Sequence, residues 1–431
     1  MRLPDRTHHQ PRVATLLVAA LLIGGCRRVA PLPSSASSGS QPAAASQPSS
    51  RSTTRDKRKI QNLGYTDYSA EADDTRSGVT RCDEAKCAPG LSLYAIHRLC
   101  QADLIDLRGT VVHSWRHPGK HWSNCELLEN GDLLVVGADA PQAARGGGDE
   151  ESRAYVLRLS WGGEVVWKLR IPAHHDADFA PNGDLVALTR RVRAIPDFDA
   201  KRRVKDAVLQ RFDAGRRPVD ELSLFDVLRS SGFAIQSVEP TGASLDLFHA
   251  NSVEWMTRPE LAARNPLYAL SNLLVCIRHQ DAVAIFDWAN RRLVWSWGPG
   301  EISGPHDATV LPNGNILLYD NGLGRDWSRV VELDPLARKI VWEYRAPRPH
   351  DFYSASRGSN QRLPNGNTLI SESDRGRAFE VTAAGEIVWE FFTPHANKEG
   401  RRMTIVRIKR YPPEYIRAVQ VRVSMGPAKA P

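Results

Sequence analysis

From about Leu91 onward, apolar residues alternate with polar ones in short runs closed by Gly, Asn, Asp or Pro, and no stretch sustains a helical period. That pattern predicts half-buried strands joined by tight turns. One hairpin recurs six times as a strand, a polar turn and a strand ending in an aromatic or apolar pair, as in LIDLRGTVVHSW (Leu104 to Trp115) and VLRLSWGGEVVWKL (Val156 to Leu169). Aligned on Trp115, Trp167, Val219, Trp295, Trp342 and Trp389, the copies lie 52, 52, 76, 47 and 47 residues apart. A second hairpin alternates with the first and turns on Asn-Gly at Asn130, Asn182, Asn313 and Asn365, with a variant from His249 to His279. Asn-Gly supplies the positive φ angles of a two-residue hairpin. A period near 50 built of paired hairpins predicts an all-β fold, a six-bladed β-propeller with four-stranded blades over residues 81–420. The late strand Met403 to Tyr411 is expected to complete the first blade and close the ring, which removes an open edge.

The N-terminal part follows different rules. Arg2, Arg6 and Arg12 precede a short apolar stretch, Val13 to Ile23, which ends in Ile23-Gly24-Gly25-Cys26. An apolar run of that length does not span a bilayer, and residues 1–26 read as a signal peptide. Its tetrad resembles a bacterial lipobox, which implies a lipid on Cys26; an ordinary cleaved signal is the alternative. Arg27 after the Cys points to the outer membrane, so the expected location is its periplasmic face, with the membrane as a partner through the anchor. Residues 27–80, rich in Ser, Ala, Pro and Gln in their first half, are expected to form a disordered tether. The net charge of +8 comes from Arg scattered over turns and the N-terminal arm, which argues against nucleic-acid binding. Cys82 with Cys87, and Cys100 with Cys125, are candidate disulfides, and Cys276 is left over. No CxxC pair suggests zinc, and neither a metal nor another cofactor is expected.

The repeat also ranks the histidines. His175 and His306 each stand seven residues before an Asn-Gly turn, and His249 aligns with His306, while Ser123 and Gly358 occupy the same position in other copies. If this hairpin starts with the innermost strand, three imidazoles meet at one mouth of the channel. They could bind an anion, shuttle protons or ligate a metal, or instead brace the ring. His174, His175 and Asp176 offer a metal-dependent hydrolase as a further alternative.

From about Leu247 to Pro394 the chain resembles the bacterial arylsulfotransferases that need no nucleotide donor. The residues that carry this are His249-Ala250-Asn251-Ser252-Val253, Arg278-His279-Gln280, His306, Tyr319-Asp320-Asn321-Gly322 with Arg325, Ser328-Arg329 with Glu332, Trp342-Glu343-Tyr344 and Asp351-Phe352-Tyr353-Ser354. The resemblance implies a six-bladed propeller that moves a sulfuryl group from a phenolic sulfate ester to a phenol. It assigns catalytic positions to His249, His306 and Arg325, expected to form one anion site. Substrate contacts fall to His175, Arg278, Asn321 and Tyr353. The family's nucleophilic histidine should follow the Asn365-Gly366 turn, where this chain reads Ile370-Ser371-Glu372-Ser373-Asp374-Arg375. A non-catalytic propeller that binds an anionic ligand or a protein at the same mouth is the alternative function.

Overall fold

The structure, a computed structural model, describes residues 65–70, 74–141, 151–240 and 244–425. The expected signal segment, Cys26 and the stretch through residue 64 lie outside the described residues. Among the described residues six sheets, antiparallel but for the short parallel pairing of Ser244–Asp246 with Asp199–Phe212, follow one another around a ring. In blades 2 to 6 the chain enters on the innermost strand, at His121–Leu127, Ala173–Phe179, Ala250–Trp255, His306–Val310 and Ser359–Arg362, and works outward. Blade 1 takes its innermost strand, Ile405–Tyr411, from the other end of the chain. The all-β fold, the six blades and the late closing strand all agree with the repeat. The long interval between the third and fourth copies accommodates the helix Leu224–Ser230 and the loop around Pro259–Ala262.

Six apolar clusters hold the ring, each between two neighbouring blades. No blade can bury both faces without its neighbours. The repeated tryptophans explain how the blades are keyed. Trp115, Trp295, Trp342 and Trp389 each donate Nε1–H to a backbone carbonyl of the next blade, at Ser160, Pro335, Ala383 and Leu107, over 2.9 to 3.1 Å. Trp167 instead lies under the Arg216 guanidinium of blade 3 at 4.5 Å. An indole presents a large apolar body with a single donor, which suits a position half inside an interface.

The described chain is already packed at Tyr65, ahead of the boundary expected at residue 81. Gly78–Cys82 adds a fifth strand to blade 6 by pairing with Ile387–Phe392. Residues 65–70 cross one mouth of the ring, where Asp67 bonds His97 Nδ1 at 2.9 Å and Arg98 Nε at 2.7 Å. Ion pairs and single aromatic rings anchor this arm, so it carries no apolar period to read. The last described element is a helix, Pro413–Met425, whose Ile416 and Val419 are buried. Cys82, Cys87, Cys100, Cys125 and Cys276 are separate thiols, so the two candidate disulfides are absent from the structure.

Candidate functional site

Five of the six innermost strands bulge. Their ladders slip at Ser123 in blade 2, between Ala173 and Ala177 in blade 3, at Asn251 in blade 4, between His306 and Thr309 in blade 5 and between Ile405 and Ile408 in blade 1. A bulge re-aims side chains that a regular ladder would alternate. His175 and His249 are also left-handed, with φ of 64° and 44°, a strain of order 1 kcal/mol per residue that packed surroundings can sustain. Together these turn imidazoles toward the axis.

Just inside, a polar belt ties the blades. Arg407 of blade 1 pairs with Asp307 of blade 5 at 2.5 Å and donates to Asn124 of blade 2 at 3.2 Å. Asn124 in turn donates to Asp176 of blade 3, which accepts the Val253 N–H of blade 4 at 3.0 Å. Asp307 accepts the Asn360 N–H of blade 6 at 2.8 Å. Ring bracing at this level falls to Arg, Asp and Asn rather than to the histidines.

Above the belt the Tyr65 hydroxyl lies 2.7 Å from His249 Nε2 and 3.0 Å from His175 Nε2, and these two nitrogens are 3.2 Å apart. Asp246 Oδ2 lies 2.7 Å from His249 Nδ1. A carboxylate there requires an N–H on Nδ1, so Nε2 is bare and accepts the Tyr65 proton; His175 then offers Nε2–H to the phenolic oxygen. His279 stacks on His249 with ring centroids 4.7 Å apart, and its Nδ1 is 2.6 Å from the Asp246 carbonyl. Arg278 Nη1 donates to His279 Nε2 at 3.0 Å. The Arg357 guanidinium covers the Tyr65 ring at 4.2 Å. His306 stands below, its Nδ1 shared by Asn321 Oδ1 at 2.8 Å and the Gly304 carbonyl at 3.1 Å. Its buried Nε2 has no hydrogen-bond partner among the described residues.

Burial disfavours the charged form of His174, His175, His249 and His306. It pushes His174, His175 and His306 well below the ordinary histidine range, with nearby cations adding to the effect. Burial also carries His249 down to about 3, although Asp246 pulls the other way. Asp246 would rise on burial, but His249 and Arg190 hold it ionised. For Tyr65, burial raises the phenol pKa against the pull of Arg278, Arg357 and Arg190.

Tyr65 parts two spaces. Toward the mouth is a cavity of about 540 Å³ lined by His174, His175 and His249 and by Arg98, Lys120, Arg190, Lys205 and Arg357, with Asp67 as the one carboxylate among the described lining residues. Beneath the ring, about 50 Å³ remains among His175, His306, Asn251 and the belt. The outer cavity suits an anion with an aromatic body.

The structure thus brings His175, His249 and His306 together, and it places Asn321 and Arg278 one contact behind, where they orient His306 and His279. Arg325 is not brought in. Its guanidinium pairs with the buried Asp320 at 2.9 Å, donates to the Trp327 carbonyl at 3.0 Å and covers the Trp327 ring at 4.3 Å. Its charge is spent on its own loop, and the expected site of His249, His306 and Arg325 is corrected accordingly. Tyr353 also lies outside both cavities; burial and the neighbouring Asp326 raise its phenol to about 12. His174, His175 and Asp176 do not converge as metal ligands, because Asp176 turns into the belt. Asp246, His249 and His279 are the one group of ligand atoms within 4.8 Å of one another among the described residues. Both Nδ1 atoms of that group are already engaged by Asp246.

Tyr65, Asp246, Arg190 and Arg357 escaped the sequence reading. Tyr65 and Tyr68 are the aromatic residues of an otherwise polar arm, and Arg357 precedes Gly358, the repeat equivalent of His306. Those are the signals that point to them.

Fold and site together describe a six-bladed propeller in which imidazoles near the starts of inner strands meet guanidinium groups around a cavity at one mouth. The chain belongs to the arylsulfotransferase (ASST) family, whose model matches residues 154–394. No curated protein matches the chain. Similar solved structures include a protein of unknown function from Bacteroides caccae, at 14% identity and TM-score 0.48 over 74% of this chain and 98% of that one. Virginiamycin B lyase from Staphylococcus aureus, a catalytically inactive form with quinupristin, gives 11% and 0.42 over 73% and 88%. Kuenenia stuttgartiensis hydrazine synthase gives 11% and 0.44 over 77% and 90%.

Proposed function

We propose that the chain transfers a sulfuryl group from an aryl sulfate ester to a phenol at the place now held by the Tyr65 hydroxyl. One observation carries this reading: a phenol already rests there, between two imidazole nitrogens and beneath a guanidinium. A substrate phenol in that position gives its proton to His249 Nε2, which Asp246 keeps bare. The ester lies in the outer cavity, where Arg190, Arg357 and the Nε2–H of His175 meet the sulfuryl oxygens. Donors aimed at developing charge in a buried site supply most of such a rate enhancement. The strand Thr368–Glu372 cannot supply the family's imidazole. Its Ser371 bonds Ser373 at 3.0 Å and its Glu372 pairs with Arg377 at 2.9 Å. Histidines from blades 3, 4 and 5 gather in its place.

The test incubates the protein with 4-nitrophenyl sulfate and phenol and follows nitrophenolate and phenyl sulfate. Wild type is expected to make both, and Arg190→Ala, which removes a donor to the sulfuryl oxygens, to be about a hundredfold slower. Binding of the ester without transfer, weakened in the variant, would favour the anion-binding alternative.

The lipobox-like Ile23-Gly24-Gly25-Cys26 and the following Arg27 support a lipid anchor at the periplasmic face of the outer membrane. Cys26→Ala is expected to move the protein from the membrane fraction to the soluble periplasm. Unchanged fractionation would reject the anchor.

A further inference from the structure

Nothing in a signal-and-tether reading of the N-terminal arm calls for a tyrosine at the centre of the propeller. The arm places one there and fixes it. Asp67, two residues on, is bound by His97 and Arg98. The Thr66 hydroxyl donates to Asp374 at 3.2 Å, and the Thr66 carbonyl accepts from Arg357 at 3.2 Å. The hydroxyl of Tyr65 then meets His249 and His175 in the geometry required of an acceptor phenol, with its proton directed at a bare nitrogen. Its ring is held by Arg357, and the cavity beside it presents five cationic side chains against one carboxylate. A core tyrosine serving only to pack would not need two imidazoles at its oxygen, nor an open basic cavity next to it.

We infer that Tyr65 is itself a substrate of this site: an internal phenol that the chain sulfates in cis. The inference rests on the sulfuryl-transfer reading above. The step is balanced without any oxidant or reductant. The sulfur–oxygen bond to the donor's aryl oxygen breaks as one to Tyr65 Oη forms. The Tyr65 proton passes to His249 Nε2 and from there to the departing aryloxide. An aryl sulfate and tyrosine become a phenol and tyrosine O-sulfate. Both esters are aryl sulfates, so the exchange is close to balanced in energy. Fixing acceptor and base in one chain also gives Tyr65 the advantage of an intramolecular reaction over any dissolved phenol. Tyr68 lies only three residues away, but it bridges to Met403 and sits 5.5 Å from the Arg401 guanidinium, outside both cavities. It is a built-in control.

The experiment uses the full chain and 4-nitrophenyl sulfate without added acceptor. Trypsin releases residues 60–76, which contain both tyrosines. The expected result is a gain of one sulfuryl group on Tyr65 and none on Tyr68, at a rate per chain that does not change with protein concentration. Tyr65→Phe should show no labelled peptide and release no nitrophenolate when no phenol is added, since the oxygen that takes the sulfuryl group is gone. Transfer to added phenol by wild type with Tyr65 unlabelled would overturn the inference and leave the sulfuryl-transfer reading standing. No nitrophenolate from either protein, with or without phenol, would overturn both. Labelling that rises with protein concentration would show transfer between chains and reject the cis geometry.

Discussion

Asp246→Asn is expected to lower kcat/KM for sulfuryl transfer about a hundredfold or more, the scale of a general base deprived of its orientation. His249→Ala should lose at least as much, because the nitrogen that receives the phenol proton is gone. Asp246 does not touch substrate; it works by holding the proton on His249 Nδ1, so its replacement removes the reason for Nε2 to be bare. The pH profile separates this from simple damage. His249 is carried down to about 3 by burial, so the base stays unprotonated and the wild-type profile should be flat from pH 8 to about 5. Asp246 raises the His249 pKa; without it that pKa falls further, and the acid limb must not move toward neutrality. A limb that moved up, or full activity in Asp246→Asn, would remove Asp246 from the machinery. Asp246→Glu should recover part of the rate by restoring a carboxylate.

Arg410→Met is expected to cost about 3–5 kcal/mol of stability, because it strands a buried carboxylate. Arg410 lies on the closing strand and is 1% exposed. Its guanidinium pairs with the fully buried Glu380 of blade 6, donates to Ser92 Oγ at 2.9 Å and to the Ala88 carbonyl at 3.1 Å, and stands 4.7 Å from the Trp389 ring. One side chain therefore joins the closing strand, blade 1 and blade 6. Thermal unfolding should show a midpoint lower by several degrees for Arg410→Met, with much of the loss recovered in Arg410→Met/Glu380→Gln, where no charge remains buried. A single variant as stable as wild type would show that closure does not depend on this pair.

The architecture was legible in the sequence because a propeller repeats its physics. Each blade needs the same alternation and the same turns, and four of the six aligned anchors proved to be tryptophans reaching for the next blade. The alignment of His175, His249 and His306 held for the same reason, since equal positions in the repeat meet equal radii. Departures from the repeat were not legible. Asp246 is only three residues from His249, but it belongs to a short strand in the insertion that departs from the repeat, so no other copy points to it. Arg325 occupies a family position, yet Asp320 and Trp327 claim its charge locally, and a motif cannot show which of two nearby groups wins. Tyr65 was hardest to see. It lies in a polar arm without periodicity, 110 residues from His175 and 184 from His249, and its place between them is decided by ion pairs at Asp67 and by the stacking of Arg357. Local alternation sets strands and turns because it acts between near neighbours; a site assembled from an arm, an insertion and three blades exists only once the ring has closed.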